Sequence, residues 1–174
     1  RVLGSRTGLF FNFTQSNPIQ ANDAISFIVA SGKVNLVKHF EELERLIVFT
    51  QGNAITIEGD EAGTLTPTGI NPRIRASTGA GDVAPLPAGT TILYAEFQGN
   101  VVNELVPNQT GQAFNVRDVT VYAPHLLEGR TIVDWTWASK PFNIAWATRD
   151  DGVMLGFTYL REQEVWGWHR HDTG

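Results

Sequence analysis

The strand pattern of this chain is clearest in residues 143–169, which read NIAWATRDDGVMLGFTYLREQEVWGWH. Apolar side chains run through residues 143–149 and again through 153–159, and Asp150-Asp151-Gly152 lies between the two runs. An Asp-Gly pair favours a tight hairpin turn because glycine readily adopts the positive φ that such a turn needs. Residues 165–169 form a third run after a short polar connector, so the stretch predicts an antiparallel meander.

Similar strand signals occur along most of the chain. They cover residues 25–30, 34–40, 46–50, 54–58, 91–97, 101–105 and 131–137. One helix is expected within residues 119–127, where Asp118 would cap the start, Gly129 lies just past the end and Pro124 keeps the helix short. The predicted fold class is therefore all-β and mainly antiparallel, with propeller-like blades or β-meanders and one short helix.

A repeated unit, made of an apolar strand, a glycine turn and a second strand, is centred on Gly52, Gly99 and Gly152. The glycines recur at intervals of roughly 50 residues, a spacing typical of propeller blades. We place the units around residues 34–58, 90–106 and 131–171. Since one such sheet buries only one face by itself, the units are expected to stack on each other. Three unrelated hairpins in one all-β domain are the alternative.

Residues 65–88 are rich in Gly, Pro, Thr and Ser, and we interpret them as a long connector. Long loops in compact domains are often functional, so a contact or lining loop is the alternative. Within this segment, residues 78–81 lack the lysine and the following helix of a phosphate-binding loop, and we expect them to be flexible.

Composition excludes several classes of protein. The 174 residues contain no cysteine, which rules out disulfides, thiolate metal sites and cysteine nucleophiles. The net charge is −5 and Lys and Arg form no run, so sequence-independent binding to a phosphate backbone is not expected. Because strand-like segments lie close to both ends, we expect residues 1–174 to be a single β-rich fragment of a larger protein.

Two histidines near the end of the chain are the strongest candidates for metal ligands. His169 and His171 are two positions apart in a predicted strand, so their side chains share one face. A catalytic zinc needs a third protein ligand, and His39 and His125 are distant in sequence. We therefore expect no metal site here; a metal-dependent hydrolase that uses the pair is the rival reading.

Acidic side chains give no clear catalytic signal. Asp150 and Asp151 are explained by the turn that they occupy, and Glu162 and Glu164 lie in a connector. Residues 41–45 are expected to form a solvent-exposed strand edge or a turn. No nucleophile elbow or phosphate-loop motif is present. The sequence therefore predicts a protein that is not an enzyme, with no catalytic residue, cofactor or metal.

Tryptophans stand in two alternating pairs, Trp135 with Trp137 and Trp166 with Trp168. Such pairs can stack on sugars, but they also fill the space between packed sheets because tryptophan buries a large area. We expect packing or a subunit interface. A carbohydrate-binding or glycan-processing β-propeller module is the alternative, which an exposed Trp137 or Trp168 beside a carboxylate would favour.

Four segments together resemble the tail nozzle family, also called tail tubular protein B, of short-tailed bacteriophages and related prophage proteins. The segments are residues 46–53, 65–67, 118–127 and 145–171, and the resemblance covers roughly residues 23–174. The last segment is the most specific, because it is long and unusual in composition.

The resemblance implies a structural virion protein rather than an enzyme. It implies propeller-like domains, a ring of identical subunits that contacts other tail proteins, and a conduit through which double-stranded DNA passes during ejection. It also implies synthesis in the bacterial host cytoplasm and a final place in the phage tail, without membrane insertion by this chain.

Overall fold

The structure is a computed structural model that describes residues 1–28, 36–60, 63–108 and 113–172. Strands make up 49% of the described residues, all their pairings are antiparallel, and no α-helix occurs in this part of the chain. The predicted all-β, mainly antiparallel fold class is confirmed. The ends of two predicted strands, at residues 29–30 and 34–35, lie outside the described residues.

Three four-stranded meanders form the body, and a two-stranded sheet of β1 (Val2–Gly4) and β2 (Ile25–Phe27) precedes them. Sheet I comprises β3 (Val37–Glu42), β4 (Leu46–Thr50), β5 (Ala54–Glu58) and β6 (Asn71–Ala76). Sheet II comprises β7 (Leu86–Ala88), β8 (Thr91–Ala95), β9 (Val102–Pro107) and β10 (Phe114–Asp118). Sheet III comprises β11 (Ile132–Ala138), β12 (Ile144–Arg149), β13 (Met154–Leu160) and β14 (Val165–His171).

The three glycine turns occupy equivalent positions in these sheets. Gly52, Gly99 and Gly152 each lie between the second and third strands of their meander. Gly99 and Gly152 have positive φ values of 74° and 82°, which glycine adopts without strain. The predicted units at 34–58, 90–106 and 131–171 therefore fall one to a sheet, and each unit contains the central hairpin of its sheet.

The sheets stack face to face, with sheet II in the middle. Alternate residues of β8 point to opposite cores: Tyr94 packs with Phe49 of sheet I, whereas Leu93 packs with Leu155 and Phe157 of sheet III. Every residue of β8 is buried, as expected for a strand covered on both faces. A third cluster on the other face of sheet I is covered in part by β2.

Equivalent strands of adjacent sheets lie side by side. The first strands β7 and β11 are in contact, and so are the fourth strands β6 and β10. Sheets II and III therefore meet along their first strands, and sheets I and II meet along their fourth strands.

The short helix predicted within residues 119–127 is instead a single 3₁₀ turn, Pro124–Leu126. Asp118 does not cap it; its carboxylate accepts a hydrogen bond from the Thr120 backbone N–H at 2.7 Å in a local turn. Pro124 occupies the start of the 3₁₀ turn, where its missing N–H costs nothing. Gly129, with a φ of 66°, is the last residue of the turn that follows the 3₁₀ turn.

The prediction that residues 65–88 form a long connector is wrong, because this segment contains the strands β6 and β7. Both strands include a proline, Pro72 and Pro87, and both are edge strands, where proline is tolerated. Residues 78–81, which lie between these strands, pack against neighbouring parts of the chain. Ala80 is fully buried, and its N–H donates to the Thr50 carbonyl at 3.0 Å.

Candidate functional site

The tryptophan pairs lie between sheets II and III. All four side chains, those of Trp135, Trp137, Trp166 and Trp168, are partly buried against the core that the two sheets share. Trp168 stacks on Phe157 with 4.6 Å between ring centroids, and its indole N–H donates to the Val119 carbonyl at 2.9 Å. These contacts agree with packing between the sheets, one of the two roles predicted for the tryptophans; a subunit interface stays a prediction.

A carboxylate is buried at the same interface. Glu104 in β9 is 3% exposed and accepts a hydrogen bond from the Tyr159 hydroxyl at 2.8 Å. The Arg117 guanidinium donates to both carboxylate oxygens at 3.1–3.2 Å and lies 4.2 Å from the Trp166 ring centroid. Burial, together with Glu104, raises the pKa of Tyr159 to about 12. This arrangement couples two sheets through hydrogen bonds that join Glu104 to both Tyr159 and Arg117.

Sequence reasoning missed this interface carboxylate. The available signal was a single glutamate inside the apolar strand β9. A glutamate in such a strand indicates a paired carboxylate, because glutamate is almost never fully buried without a partner. Its partner Tyr159 is 55 positions away, so the pairing itself leaves no local pattern.

A second ionic cluster surrounds Glu58 at the end of β5. Arg45, Arg73 and Arg75 all form ion pairs with its carboxylate. Burial tends to raise the pKa of Glu58, but the Arg75 hydrogen bond and the three positive charges outweigh it and lower the pKa. A cleft of about 590 Å³ opens beside this cluster. Arg45 of the predicted solvated edge thus has a defined partner.

The predicted acidic candidates do not converge. Asp150 and Asp151 lie at the β12–β13 turn, whereas Glu162 and Glu164 lie at the other end of β13. A seven-residue strand separates the two groups by roughly 20 Å, far beyond the separation of glycosidase carboxylates. The Arg149 side chain, which bonds Asp151, lowers the pKa of that carboxyl to about 2.

Trp137 also lines a cleft of about 470 Å³ at the edge of the sheet II–III interface. Asn143, Tyr159, Arg161 and Glu162 contribute to the same cleft. An aromatic surface beside amide, cationic and carboxylate groups is a combination that can bind a sugar.

The two C-terminal histidines are brought together on the outer face of sheet III. His169 Nδ1 and His171 Nε2 are 2.7 Å apart, and the Thr158 hydroxyl lies 3.2 Å from His169 Nε2. Burial and the neighbouring His171 lower the pKa of His169. His39 instead contacts the Gly81 carbonyl at 3.0 Å. Residues 1–28, 36–60, 63–108 and 113–172 contain no group of three or more potential metal ligands.

The strand-rich chain has no helix, in the portion that the structure describes, with the length and hydropathy to cross a bilayer. No protein-family model matches the sequence, and no curated protein matches it. The resemblance to phage tail nozzle proteins that residues 23–174 suggest therefore stays a prediction.

Proposed function

We propose that this chain is a structural component of a bacteriophage tail, a nozzle or tubular protein whose stacked sheets form part of the DNA-ejection conduit. The observation that carries the proposal is the succession of three four-stranded meanders with equivalent strands side by side. Propellers and β-arrays are built from such repeated sheets, in which each sheet covers the apolar face of the next. Sheets I–III serve as neighbouring propeller-like blades.

The polar groups at the interfaces support a structural role. Glu104, Tyr159 and Arg117 join two sheets, and the buried tryptophan faces fill the space around them. A conduit wall needs this kind of stiff, repeated packing and needs no reactive centre. We therefore also propose that the protein is not an enzyme.

The charge distribution suits a surface past which DNA moves. Each phosphate that a protein neutralises strengthens binding, so a basic surface would slow the passage of DNA. The chain has a net charge of −5 and no run of basic residues. We expect no retention of double-stranded DNA in a filter assay at physiological salt. Tight retention that weakens steeply with added salt would contradict a conduit of this kind.

Self-assembly is the second consequence of the proposal. A nozzle closes the tail as a ring of identical subunits, so light scattering and negative-stain microscopy should show ring-shaped oligomers, alone or after mixing with adjoining tail proteins. A strictly monomeric protein in both conditions would remove the support for a ring.

A carbohydrate-binding module is a second candidate, because Trp137 lines a cleft with Glu162 and Asn143. In this case a glycan array should give a signal that Trp137→Ala abolishes. Trp146→Ala is the matched control, since Trp146 lies outside that cleft, on the opposite face of sheet III. A signal that depends on Trp137 would favour this function over the conduit, whereas an empty array would exclude it for the glycans displayed.

A further inference from the structure

We propose that His169 and His171 form a two-ligand site for an exchangeable divalent transition-metal ion of the Cu²⁺, Ni²⁺ or Zn²⁺ class. The site lies on the outer face of sheet III and goes beyond the proposed conduit function. Its three supports are the separation of the two imidazoles, the groups that hold the rings in place and the chemistry of the donors.

The separation of the imidazole nitrogens is close to what one ion requires. His169 Nδ1 and His171 Nε2 are 2.7 Å apart on the same strand face. A metal that binds two imidazoles at about 2.0–2.1 Å holds the two nitrogens about 3 Å apart. Opening the pair by a few tenths of an ångström, with a turn of the rings that brings both lone pairs to one point, therefore admits the ion. The proton of the hydrogen bond between the rings moves to the far nitrogen of the ring that carries it, His169 Nε2 or His171 Nδ1, so that both ligand nitrogens are free to bind the metal.

Neighbouring strands fix the His169 ring in the required orientation. Thr158 Oγ1 bonds Nε2 at 3.2 Å, which leaves Nδ1 directed at His171. The ring lies over Gly156, the residue paired with His169 on β13, where any Cβ would overlap it. Outer-shell partners of this kind commonly orient metal-binding histidines.

Trp146 completes the surroundings from the next strand. Its ring meets the His171 ring edge-on, with 4.7 Å between centroids, and the His169 ring at 6.0 Å. Both histidines are half-buried, so the ion would keep solvent on its remaining coordination positions. The contact also places a fluorophore beside the site.

The donor set selects the class of ion. Imidazole nitrogen suits copper, nickel and zinc, whereas calcium and magnesium require oxygen ligands. Since the described residues offer no group of three ligands, the site differs from a closed structural zinc centre. The chain has no cysteine, so no thiolate competes for these metals.

Titration with Cu²⁺ while tryptophan fluorescence is recorded tests the site. We expect saturable quenching with one equivalent bound, and an affinity at least tenfold lower in both His169→Gln and His171→Gln. His125→Gln is the matched control, because His125 lies in the 3₁₀ turn away from the pair, and it should bind as the wild type does. Trp146→Phe should remove most of the quenching while calorimetry still detects binding.

A more conservative variant tests the orientation of the His169 ring separately from the stability of the fold. Thr158→Val keeps the shape of the side chain but loses the hydroxyl, and we expect roughly tenfold weaker binding with an unchanged thermal midpoint. The proposal is overturned if both glutamine variants bind Cu²⁺ as tightly as the wild type. It is equally overturned if His39→Gln or His125→Gln, rather than the pair, removes the binding.

Discussion

A single hydroxyl links Tyr159 of sheet III to the carboxylate of Glu104 in sheet II. In Tyr159→Phe, one oxygen of a carboxylate that is only 3% exposed loses a donor, although Arg117 still bonds it. Hydrogen bonds to charged groups contribute about 1.5–3 kcal/mol, so we expect the free energy of unfolding in urea to fall by that amount.

Tyr122→Phe provides the control for this change. Tyr122 is 84% exposed, and the same loss of a hydroxyl there should alter the free energy of unfolding by less than about 0.5 kcal/mol. Equal small effects in both variants would mean that Arg117 alone satisfies Glu104.

The two buried tyrosines predict a loss of stability in alkali. Burial is the main cause that raises the pKa of Tyr94 and of Tyr159 to about 12, from 10.0. Since the folded state favours the neutral hydroxyl, this contribution is complete below pH 10 and is lost as the pH rises through about 12. Each shift corresponds to at most on the order of 3 kcal/mol.

Urea unfolding curves between pH 8 and pH 12 would measure this alkaline loss. Tyr159→Phe should show a shallower decline above pH 10 than the wild type, because one of the two ionisations is absent. Parallel declines in the two proteins would show that other groups cause the alkaline unfolding.

At the scale of elements, the link between sheets I and II depends on close backbone approach at Gly79. A Cβ at this position would overlap the backbone of Thr50 and Gln51, which cannot rotate away as a side chain can. We expect Gly79→Ala to lower the free energy of unfolding by at least about 2 kcal/mol.

The matched substitution Gly167→Ala, in β14, should be tolerated. No atom lies within 4 Å of a Cβ built there. If Gly79→Ala proves as stable as Gly167→Ala in the same urea titration, the link between sheets I and II is looser than the structure indicates.

The elements that the sequence predicts well are those whose signals are local. Leu46–Thr50 and Ala54–Glu58 agree with the structure at both ends, because an apolar run and a glycine turn define them without help from distant residues. β6 and β7 were missed since Pro72 and Pro87 normally argue against strands, and only their edge positions make them acceptable.

The candidate sites also differ in how much of their geometry local sequence patterns predict. Alternation along β14 predicts that His169 and His171 share a face, but the contact between their rings also depends on Gly156 in the neighbouring strand. The partnership of Glu104 with Tyr159 joins two sheets and has no local signature. Contacts between residues that are distant in sequence therefore determine the geometry of both sites, and local sequence patterns do not predict these contacts.

Across the whole molecule, acidic residues are unevenly distributed along the chain. All 18 acidic residues lie at or after Asp23, so residues 1–22 carry none. The same segment holds an aromatic loop, residues 9–13, in which Phe10 is 79% and Phe11 98% exposed. Backbone hydrogen bonds from Arg6 to Asn12 and from Leu9 to Arg6 hold the loop in shape. A hydrogen-bonded loop that presents two phenylalanines to solvent is suited to contact another protein.

If subunits assemble through this loop, the double variant Phe10→Ser/Phe11→Ser should lower the average mass measured by light scattering. Its thermal midpoint should stay unchanged, because side chains this exposed contribute little to folding. Phe142→Ser is the control, since Phe142 is 64% exposed in a different part of the chain and should leave the mass unaltered. A wild type that is monomeric would refute the ring itself. A wild type that assembles together with a double variant of the same mass would instead show that the subunits meet elsewhere.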